Sequence, residues 1–204
     1  FPTIDPADPY RLSDEERELI DKIHASFMNS EKLKKHMRCL FTYGGMYLIC
    51  NSNLLYHASM PLNEDGSFKR VRIGKKEYWG KKLLCKTDQL IRTAYFDEDG
   101  TEEKSFALDY VWYMWCGPNA PSFDKDKMAT FERYFLAEKE THKEVKNPYY
   151  DMLENEEVLD RILREFGLEP EGAHIINGHV PVKSKDGESP LKCGGKLLVI
   201  DGGF

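Results

Sequence analysis

The sequence has few cysteines, and their spacing suits neither a disulfide framework nor a metal clip. There are five of them, an odd number spread through 204 residues, and no C-x-x-C motif occurs. This pattern argues against a disulfide-rich secreted scaffold and against a zinc ribbon. A chain of this length buries about 70% of its unfolded surface and can fold without disulfides. We therefore assign the cysteines to packing and expect a reducing, cytoplasmic environment.

Long apolar runs and an excess of positive charge are missing as well. No run of about 18 apolar residues could span a bilayer, and the opening FPTIDPADPY has neither the basic nor the apolar region of a signal peptide. The formal net charge is -6, whereas a general nucleic-acid binder normally carries a basic patch. We expect neither a membrane nor a nucleic acid as partner.

Helix signals are clear at several points of the chain. Ser13 with Glu16 three residues later is a capping-box pattern, and Ser30 precedes a second helical segment. In NEEVLDRILREFG, Asn155 is the predicted N-cap and Gly167 takes the C-terminal capping position. Apolar residues recur on one face of the first two segments, which predicts two packed helices. Those residues are Leu19, Ile20, Ile23 and Phe27, then Leu33, Met37, Leu40 and Phe41.

Further helices are predicted in the middle of the chain. KKLLCKTDQLIRTAYF has helical spacing, and the aromatic stretch that follows, FALDYVWYMWC, repeats Leu108, Val111, Trp112 and Trp115 at helical steps. This second pattern predicts a core helix that stops at a Gly-Pro turn. The segment KDKMATFERYFLAEKETHKEVKNPYY is predicted to continue as a helix that gives way to a charged segment.

Short apolar runs predict strands. MYLIC and LLYHAS flank the turn-rich Asn51, Ser52 and Asn53, which predicts a hairpin of central strands. A short strand is expected around Val71 and Ile73, and HIIN and KLLVI are strand-like runs near the end of the chain. No repeat or linker is visible. We predict one domain over residues 1–204, of mixed α+β class.

Two of the six histidines, His57 and His179, follow strand-like runs. A strand that ends in a histidine fixes the position of the imidazole, while the loop leaves it accessible, and enzymes use such positions for metal ligands. For each, the alternative is an ordinary hydrogen-bonded histidine. Asp201 ends the last strand, before Gly202 and Gly203, and is either a support for a neighbouring site or a plain strand end.

These blocks resemble those of a known superfamily. LLYHASMP resembles the block of calcineurin-like metallophosphoesterases in which an apolar strand ends in a metal-binding histidine, and IINGHVPVK with GGKLLVIDGG resembles their later Gly-His block. Through DYVWYMWCGPNAPSF and GHVPVKSKDGESP, the whole chain resembles the C-terminal part of bacterial class III fructose-1,6-bisphosphatases. That longer resemblance is the more specific of the two.

The resemblance implies a fold and a reaction. The fold would be part of a metallophosphoesterase β-sandwich with flanking helices. Two divalent metals would activate a water for attack on phosphorus and neutralise the phosphoryl oxygens. His57 and His179 would be ligands of one of them. Mn2+ is the ion that the resemblance implies, and imidazole with carboxylate ligation is compatible with it. The substrate would be a sugar bisphosphate, fructose 1,6-bisphosphate, converted to fructose 6-phosphate in gluconeogenesis.

Three blocks of the superfamily are absent from the sequence, namely Asp-x-His, Gly-Asp-x-x-Asp-Arg-Gly and Gly-Asn-His. In the family they precede the His57 block, so we expect an excerpt that lacks the N-terminal half of its parent chain. Two neutral histidines without a bridging carboxylate do not hold a two-metal centre. No catalytic residue is therefore assigned, and the excerpt alone is expected to be inactive. Exposed strand edges would favour association, including a homo-oligomer.

Five polar residues are predicted to contact the substrate. Asn119 lies in the GPNAPSF loop, where related phosphatases have substrate-contacting residues. Lys125, Arg133, Lys183 and Lys185 offer positive charge to a phosphate. For any single lysine the alternative is a solvated loop.

Two alternative functions stay open. A protein or dinucleotide phosphatase of the same superfamily would share both histidine blocks. The stretch could also be a non-catalytic binding or assembly piece.

Overall fold

The computed structural model describes residues 4–201. The chain divides into two compact units, Phe1–Gly44 and Gly45–Phe204, and each is described by itself. The single domain over residues 1–204 stays a prediction.

The first unit contains two helices, α1 (Asp14–Met28) and α2 (Glu31–Tyr43). The predicted capping box of α1 is confirmed, because Ser13 Oγ accepts from the Glu16 backbone N–H and the Glu16 carboxylate accepts from that of Ser13. Ser30 caps α2 in the predicted way. Local side-chain chemistry therefore determines where both helices begin.

The predicted burial of the apolar faces of α1 and α2 is wrong. Neither helix has a buried residue. The four apolar residues of the α1 face are all exposed, from Ile23 at 46% to Phe27 at 62%, and on α2 Leu40 is exposed while Leu33, Met37 and Phe41 are half-buried. Periodicity specifies an amphipathic helix, but burial also needs a second surface to pack against.

Seven strands lie in the second unit. They are β1 (Tyr47–Cys50), β2 (Asn53–Tyr56), β3 (Val71–Ile73), β4 (Lys76–Tyr78), β5 (His174–Asn177), β6 (Leu191–Lys192) and β7 (Leu197–Val199). Five of them form a mixed sheet in the order β1-β2-β5-β7-β6, and β3 pairs with β4 in a separate hairpin. The predicted strand around Val71 and Ile73 is confirmed as β3.

The predicted hairpin of β1 and β2 is confirmed. The strands pair antiparallel, and Asn51 and Ser52 between them have φ values of 50° and 60°, the left-handed pair that a tight hairpin turn requires. The prediction that both strands are central is wrong for β1. It lies at the sheet edge, with Leu48 58% exposed.

The centre of the sheet brings three strand ends together. β2 pairs with β5, and β5 with β7, in parallel. The register aligns Leu55 with Ile176 and Asn177 with Val199. Because neighbouring parallel strands end at the same edge of a sheet, His57, His179 and Asp201 leave the sheet on one side.

Four helices complete the second unit: α3 (Gly80–Phe96), α4 (Glu102–Cys116), α5 (Phe131–Phe135) and α6 (Glu156–Glu165). The predicted N-cap of α6 is confirmed, since Asn155 accepts from the Val158 N–H. The predicted C-terminal capping glycine is confirmed as well, since Gly167 has φ 79°. The inward residues of α6 join Leu54, Ile175 and Leu197 of the sheet in one core. They are Val158, Leu159, Ile162, Leu163 and Phe166.

Two helix predictions need correction. In α4 the buried residues are Ala107, Tyr110 and Met114, whereas Trp112 and Trp115 are 65% and 60% exposed. The buried face of α4 packs in one core with Leu83, Leu90 and Ala94 of α3, and Tyr110 Oη is hydrogen-bonded to Thr87 Oγ1 of α3 at 2.9 Å. The long helix predicted from KDKMATFERYF onward is reduced to the five residues of α5.

The mixed α+β class is confirmed by the helices and the mixed sheet. The second layer of a β-sandwich is not found within residues 4–201, where the other sheet is the hairpin of β3 and β4. In the same part of the chain, every helix falls short of the length and apolar character that a membrane crossing demands.

Candidate active site

His57 and His179 meet where β2 and β5 end. Their ring centroids are 5.1 Å apart. The Gly178 backbone N–H donates to the His57 carbonyl at 2.8 Å, so the two loops are joined at His57 itself and at the residue before His179. The family resemblance implies that these two histidines serve the same metal, and the structure brings their rings side by side. Whether they bind a metal stays a prediction.

The Nε2 atom of His179 is buried and makes no hydrogen bond within the described residues. The Phe123 backbone interacts with the ring and raises its pKa. An imidazole nitrogen with a free lone pair is the form that binds a metal.

The electrostatics of His179 also favour the neutral ring. Burial lowers the pKa of this imidazole below its ordinary value, and His57 and Lys125 lower the pKa further. Asp201 and the Phe123 backbone oppose them. Metals bind the neutral form, so a lowered pKa keeps Nε2 available at neutral pH. The His179 backbone has φ 73°, a conformation that non-glycine residues rarely adopt and that often marks functional positions.

Asp201 packs against the turn that carries His179. A Cβ placed on Gly178 would lie 3.4 Å from the Asp201 Cβ, so a larger residue at 178 would crowd Asp201. The Asp201 carbonyl accepts from the Val182 N–H at 2.7 Å, which closes the loop after His179. These contacts favour the interpretation of Asp201 as a support. Gly202 and Gly203, named with it in the sequence, lie outside the described residues.

The donor set fits part of a metal centre. No group of three or more His, Cys, Asp or Glu side chains within the described ranges is arranged to hold a metal ion. Two imidazoles with a buried free Nε2 suit two positions of a larger ligand set. Further ligands would have to come from elsewhere.

A buried hydrogen-bond network holds the loop that carries His57. Asn177 Nδ2 donates to the Ala58 carbonyl and to Tyr149 Oη, both at 2.8 Å, and Tyr149 Oη bonds to Tyr56 Oη at 2.8 Å. Asn177 is 2% exposed. The sequence analysis missed these residues, although an asparagine that ends the apolar run HIIN is a signal that could have found them.

Asp124 is a second group that the sequence analysis missed. It is 1% exposed, it has φ 50°, and the Ser59 hydroxyl donates to its carboxylate. Burial raises the pKa of Asp124 to about 7, although the Ser59 hydrogen bond and Lys69 lower it. A carboxyl that titrates near neutral pH beside a cavity is typical of functional sites. No local pattern in the sequence marks it.

Two of the five predicted substrate residues share a cavity. Asn119 and Lys125 line a cavity of about 510 Å³ together with Lys69 and Asp124. Lys125 also lowers the His179 pKa, so its ammonium lies within electrostatic range of the histidine pair. Its charge is partly satisfied, since Lys125 Nζ lies 3.1 Å from the Glu144 carboxylate.

The other three predicted substrate residues do not line the cavity that Asn119 and Lys125 share. Lys183 lines a second cavity of about 220 Å³, which includes Asn177 and Gly178. Arg133 is paired with Glu144 at 3.5 Å, and Lys185 lies in the exposed turn Ser184–Asp186. Neither Arg133 nor Lys185 lines these two cavities. The structure therefore places Lys125 within electrostatic range of His179 and Lys183 in a cavity that Gly178 borders. Asn119 shares a cavity with Lys125, Arg133 shares the Glu144 carboxylate with Lys125, and Lys185 lines neither cavity.

Comparison with known proteins identifies the family. The model of the family described as Firmicute fructose-1,6-bisphosphatase matches residues 1–204. Proteins named fructose-1,6-bisphosphatase class 3 from Bacteroides fragilis, Bacteroides thetaiotaomicron and Clostridium novyi are 76%, 73% and 57% identical to the chain. Each similarity covers all of this chain and 31% of the relative, so the chain spans about a third of their length. No solved structure matches. The chain belongs to the Firmicute fructose-1,6-bisphosphatase family.

Proposed function

We propose that this member of the Firmicute fructose-1,6-bisphosphatase family is part of a metal-dependent enzyme that hydrolyses fructose 1,6-bisphosphate to fructose 6-phosphate and phosphate, in gluconeogenesis. The observation that carries the proposal is the pair of strand-end histidines, 5.1 Å apart, with a buried and free Nε2 on His179. The shared name of the relatives supports the choice of substrate.

His57 and His179 would hold one divalent ion, for which we propose Mn2+, in a metallophosphoesterase centre. When bound, the metal supplies Lewis-acid stabilisation of the phosphoryl oxygens and lowers the pKa of water. The Phe123 backbone adjoins the His179 ring, and Asn177 holds the His57 loop through the Ala58 carbonyl. Both act by positioning the two imidazoles.

Asp124 would hold and release a proton beside the substrate cavity. Its pKa of about 7 gives comparable amounts of the acid and the carboxylate at neutral pH, which is the condition for general acid or base chemistry. Ser59 donates to Oδ2, so the proton of the neutral acid would reside on Oδ1.

The rest of the ligand set would come from residues outside this chain. We propose that they belong to an N-terminal half of the parent protein, which agrees with a chain that spans 31% of its relatives. We further propose a cytoplasmic enzyme, because no cysteine pair marks an oxidising environment. Apolar residues on the edge strand β1, such as Leu48, support association, including a homo-oligomer.

The test compares two proteins supplied with Mn2+ and fructose 1,6-bisphosphate. One has only residues 1–204, and the other has the length of the relatives and includes these residues. We expect phosphate release from the longer protein and none from residues 1–204 alone. Robust turnover by the 204 residues would refute the shared metal centre. A longer protein that cleaves phosphopeptides or dinucleotides in preference to the sugar bisphosphate would favour another metallophosphoesterase.

A further inference from the structure

The cavity of about 220 Å³ beside the Gly178 turn has chemistry that the metal site does not use. Gly178 forms part of its wall, so the cavity begins one residue from His179. Its lining also includes Asn177, Tyr150, Lys146 and Lys183, with valine side chains between them. These residues come from both the strand that ends in Asn177 and the segment around residue 150, which lie in the same compact unit.

Two polar atoms of residues that line this cavity are buried and have no hydrogen-bond partner among residues 4–201. They are Asn177 Oδ1 and Tyr150 Oη. Asn177 is 2% exposed, and its Nδ2 is already engaged by Ala58 and Tyr149. Ser59 is close enough to Tyr150 to lower the pKa of its hydroxyl, but the Ser59 hydroxyl donates to Asp124 and no hydrogen bond of normal geometry joins it to Tyr150 Oη. Buried polar groups in folded proteins are nearly always paired, so two free ones at one cavity indicate a ligand.

The hydrogen-bonding capacity of Asn177 Oδ1 and Tyr150 Oη indicates which kind of ligand the cavity would bind. An amide oxygen only accepts hydrogen bonds, so its partner must be a donor, whereas a tyrosine hydroxyl can donate. A neutral hydroxyl group satisfies both. The valine side chains that share the lining, Val180, Val182 and Val199, suit the C–H surface of a sugar.

The charges of the cavity favour an anion. Lys146 and Lys183 line it, and within residues 4–201 neither lysine has an ion pair. Lys146 Nζ lies 5.6 Å from the centroid of the Tyr150 ring. Glu188 is the one carboxylate in the lining, and it is occupied by Lys192 Nζ at 2.8 Å and by the Lys183 backbone N–H at 2.9 Å. Two available ammonium groups beside a hydroxyl-binding pair suit a phosphorylated sugar.

We infer that this cavity binds the sugar and the retained phosphate of fructose 1,6-bisphosphate while the cleaved phosphate lies at the histidine pair. Sugar hydroxyls donate to Asn177 Oδ1, Tyr150 Oη donates to a sugar oxygen, and Lys146 with Lys183 faces the retained phosphate. The inference rests on the proposed function and deepens it, since it assigns specificity for the sugar to residues other than the metal ligands.

The test uses a protein of the relatives' length, loaded with Mn2+, in three variants. Tyr150→Phe deletes one hydroxyl that has no partner, and Lys183→Met deletes one charge, so neither removes an internal hydrogen bond of its side chain. Lys75→Met is the control, because Lys75 is an exposed lysine that lines neither cavity. We expect KM for fructose 1,6-bisphosphate to rise about 3- to 10-fold in Tyr150→Phe and at least about 10-fold in Lys183→Met. The kcat of both, and both constants of the control, stay within about 2-fold.

Calorimetric titration with fructose 6-phosphate and with inorganic phosphate separates the two proposals. Both variants are expected to bind fructose 6-phosphate more weakly than the unmodified protein does. Their affinity for inorganic phosphate should be unchanged. If the unmodified protein turns over the bisphosphate but Tyr150→Phe and Lys183→Met keep its KM and its affinity for fructose 6-phosphate, the cavity inference is wrong and the proposed function stands. If the unmodified protein has no such turnover, the proposed function fails. The cavity inference fails as well if the unmodified protein does not bind fructose 6-phosphate, or if both variants bind it as tightly as the unmodified protein does.

Discussion

The two loops that carry His57 and His179 differ in burial. After β2, the chain runs through Ala58, Ser59 and Met60, which are at most 1% exposed. After β5, the chain runs through Val180 into the exposed turn Ser184–Asp186. Yet the exposed histidine is His57, on the buried loop, and the half-buried one with the free Nε2 is His179, on the exposed loop.

This difference shows that the sheet, and not the loops, determines where the histidines lie. β2 and β5 are parallel neighbours, so their ends coincide whatever follows them. The two loops then contribute different properties. The buried loop is held in place by the Asn177 side chain. The exposed loop contributes lysines and part of the wall of a cavity.

The largest expected contrast between the two loops is in stability. Met60→Ala removes a fully buried side chain and should lower the free energy of unfolding of the chain by about 2–5 kcal/mol. Lys185→Ala, on the exposed loop, should change it by less than about 0.5 kcal/mol. Urea unfolding of the 204-residue chain, followed by circular dichroism, measures both. Equal effects of the two substitutions would show that the first loop is not the more firmly packed.

A smaller effect is expected at Asp124, which supports the buried loop through Ser59. Its pKa is raised from 3.8 to about 7 in the folded chain, so the folded state holds a proton that the unfolded state releases. The stability contributed by this proton is complete below about pH 4 and is lost as the pH rises through about 7. Asp124→Asn does not titrate, and asparagine tolerates the left-handed backbone at this position.

As the pH rises from 4 to 8, the unmodified chain should therefore lose about 2–4 kcal/mol of unfolding free energy relative to Asp124→Asn. Urea unfolding at several pH values measures this difference. Parallel pH curves for the two proteins would contradict the raised pKa, and with it the role of Asp124 as a proton carrier.

The features that the sequence predicted correctly depend on neighbours along the chain. The capping box of Ser13 and Glu16, the hairpin turn at Asn51 and Ser52, and the strand-end position of His57 each follow from a few adjacent residues. Adjacent residues did not predict which helix faces are buried. Leu19 and Trp112 lie in amphipathic patterns whose orientation depends on what packs against them. Packing is a tertiary property that periodicity alone leaves open.

The site residues that the sequence missed are linked over long distances. Ser59 and Asp124 are 65 residues apart along the chain, and Asn177 and Ala58 are 119 apart. A single sequence contains no signal that joins such residues. The histidine pair was accessible to prediction because each histidine has its own local signal, a strand-like run directly before it.

Metal binding by single histidine variants tests the central claim most directly. In a protein of the relatives' length, we would measure bound Mn2+ per chain and phosphate release for the unmodified form, His57→Ala and His179→Ala. His24→Ala, on α1, is the control. The account predicts that His57→Ala and His179→Ala each lose metal affinity and activity by more than about 100-fold, while the control keeps both. Unchanged Mn2+ binding and turnover in His57→Ala and His179→Ala would contradict it.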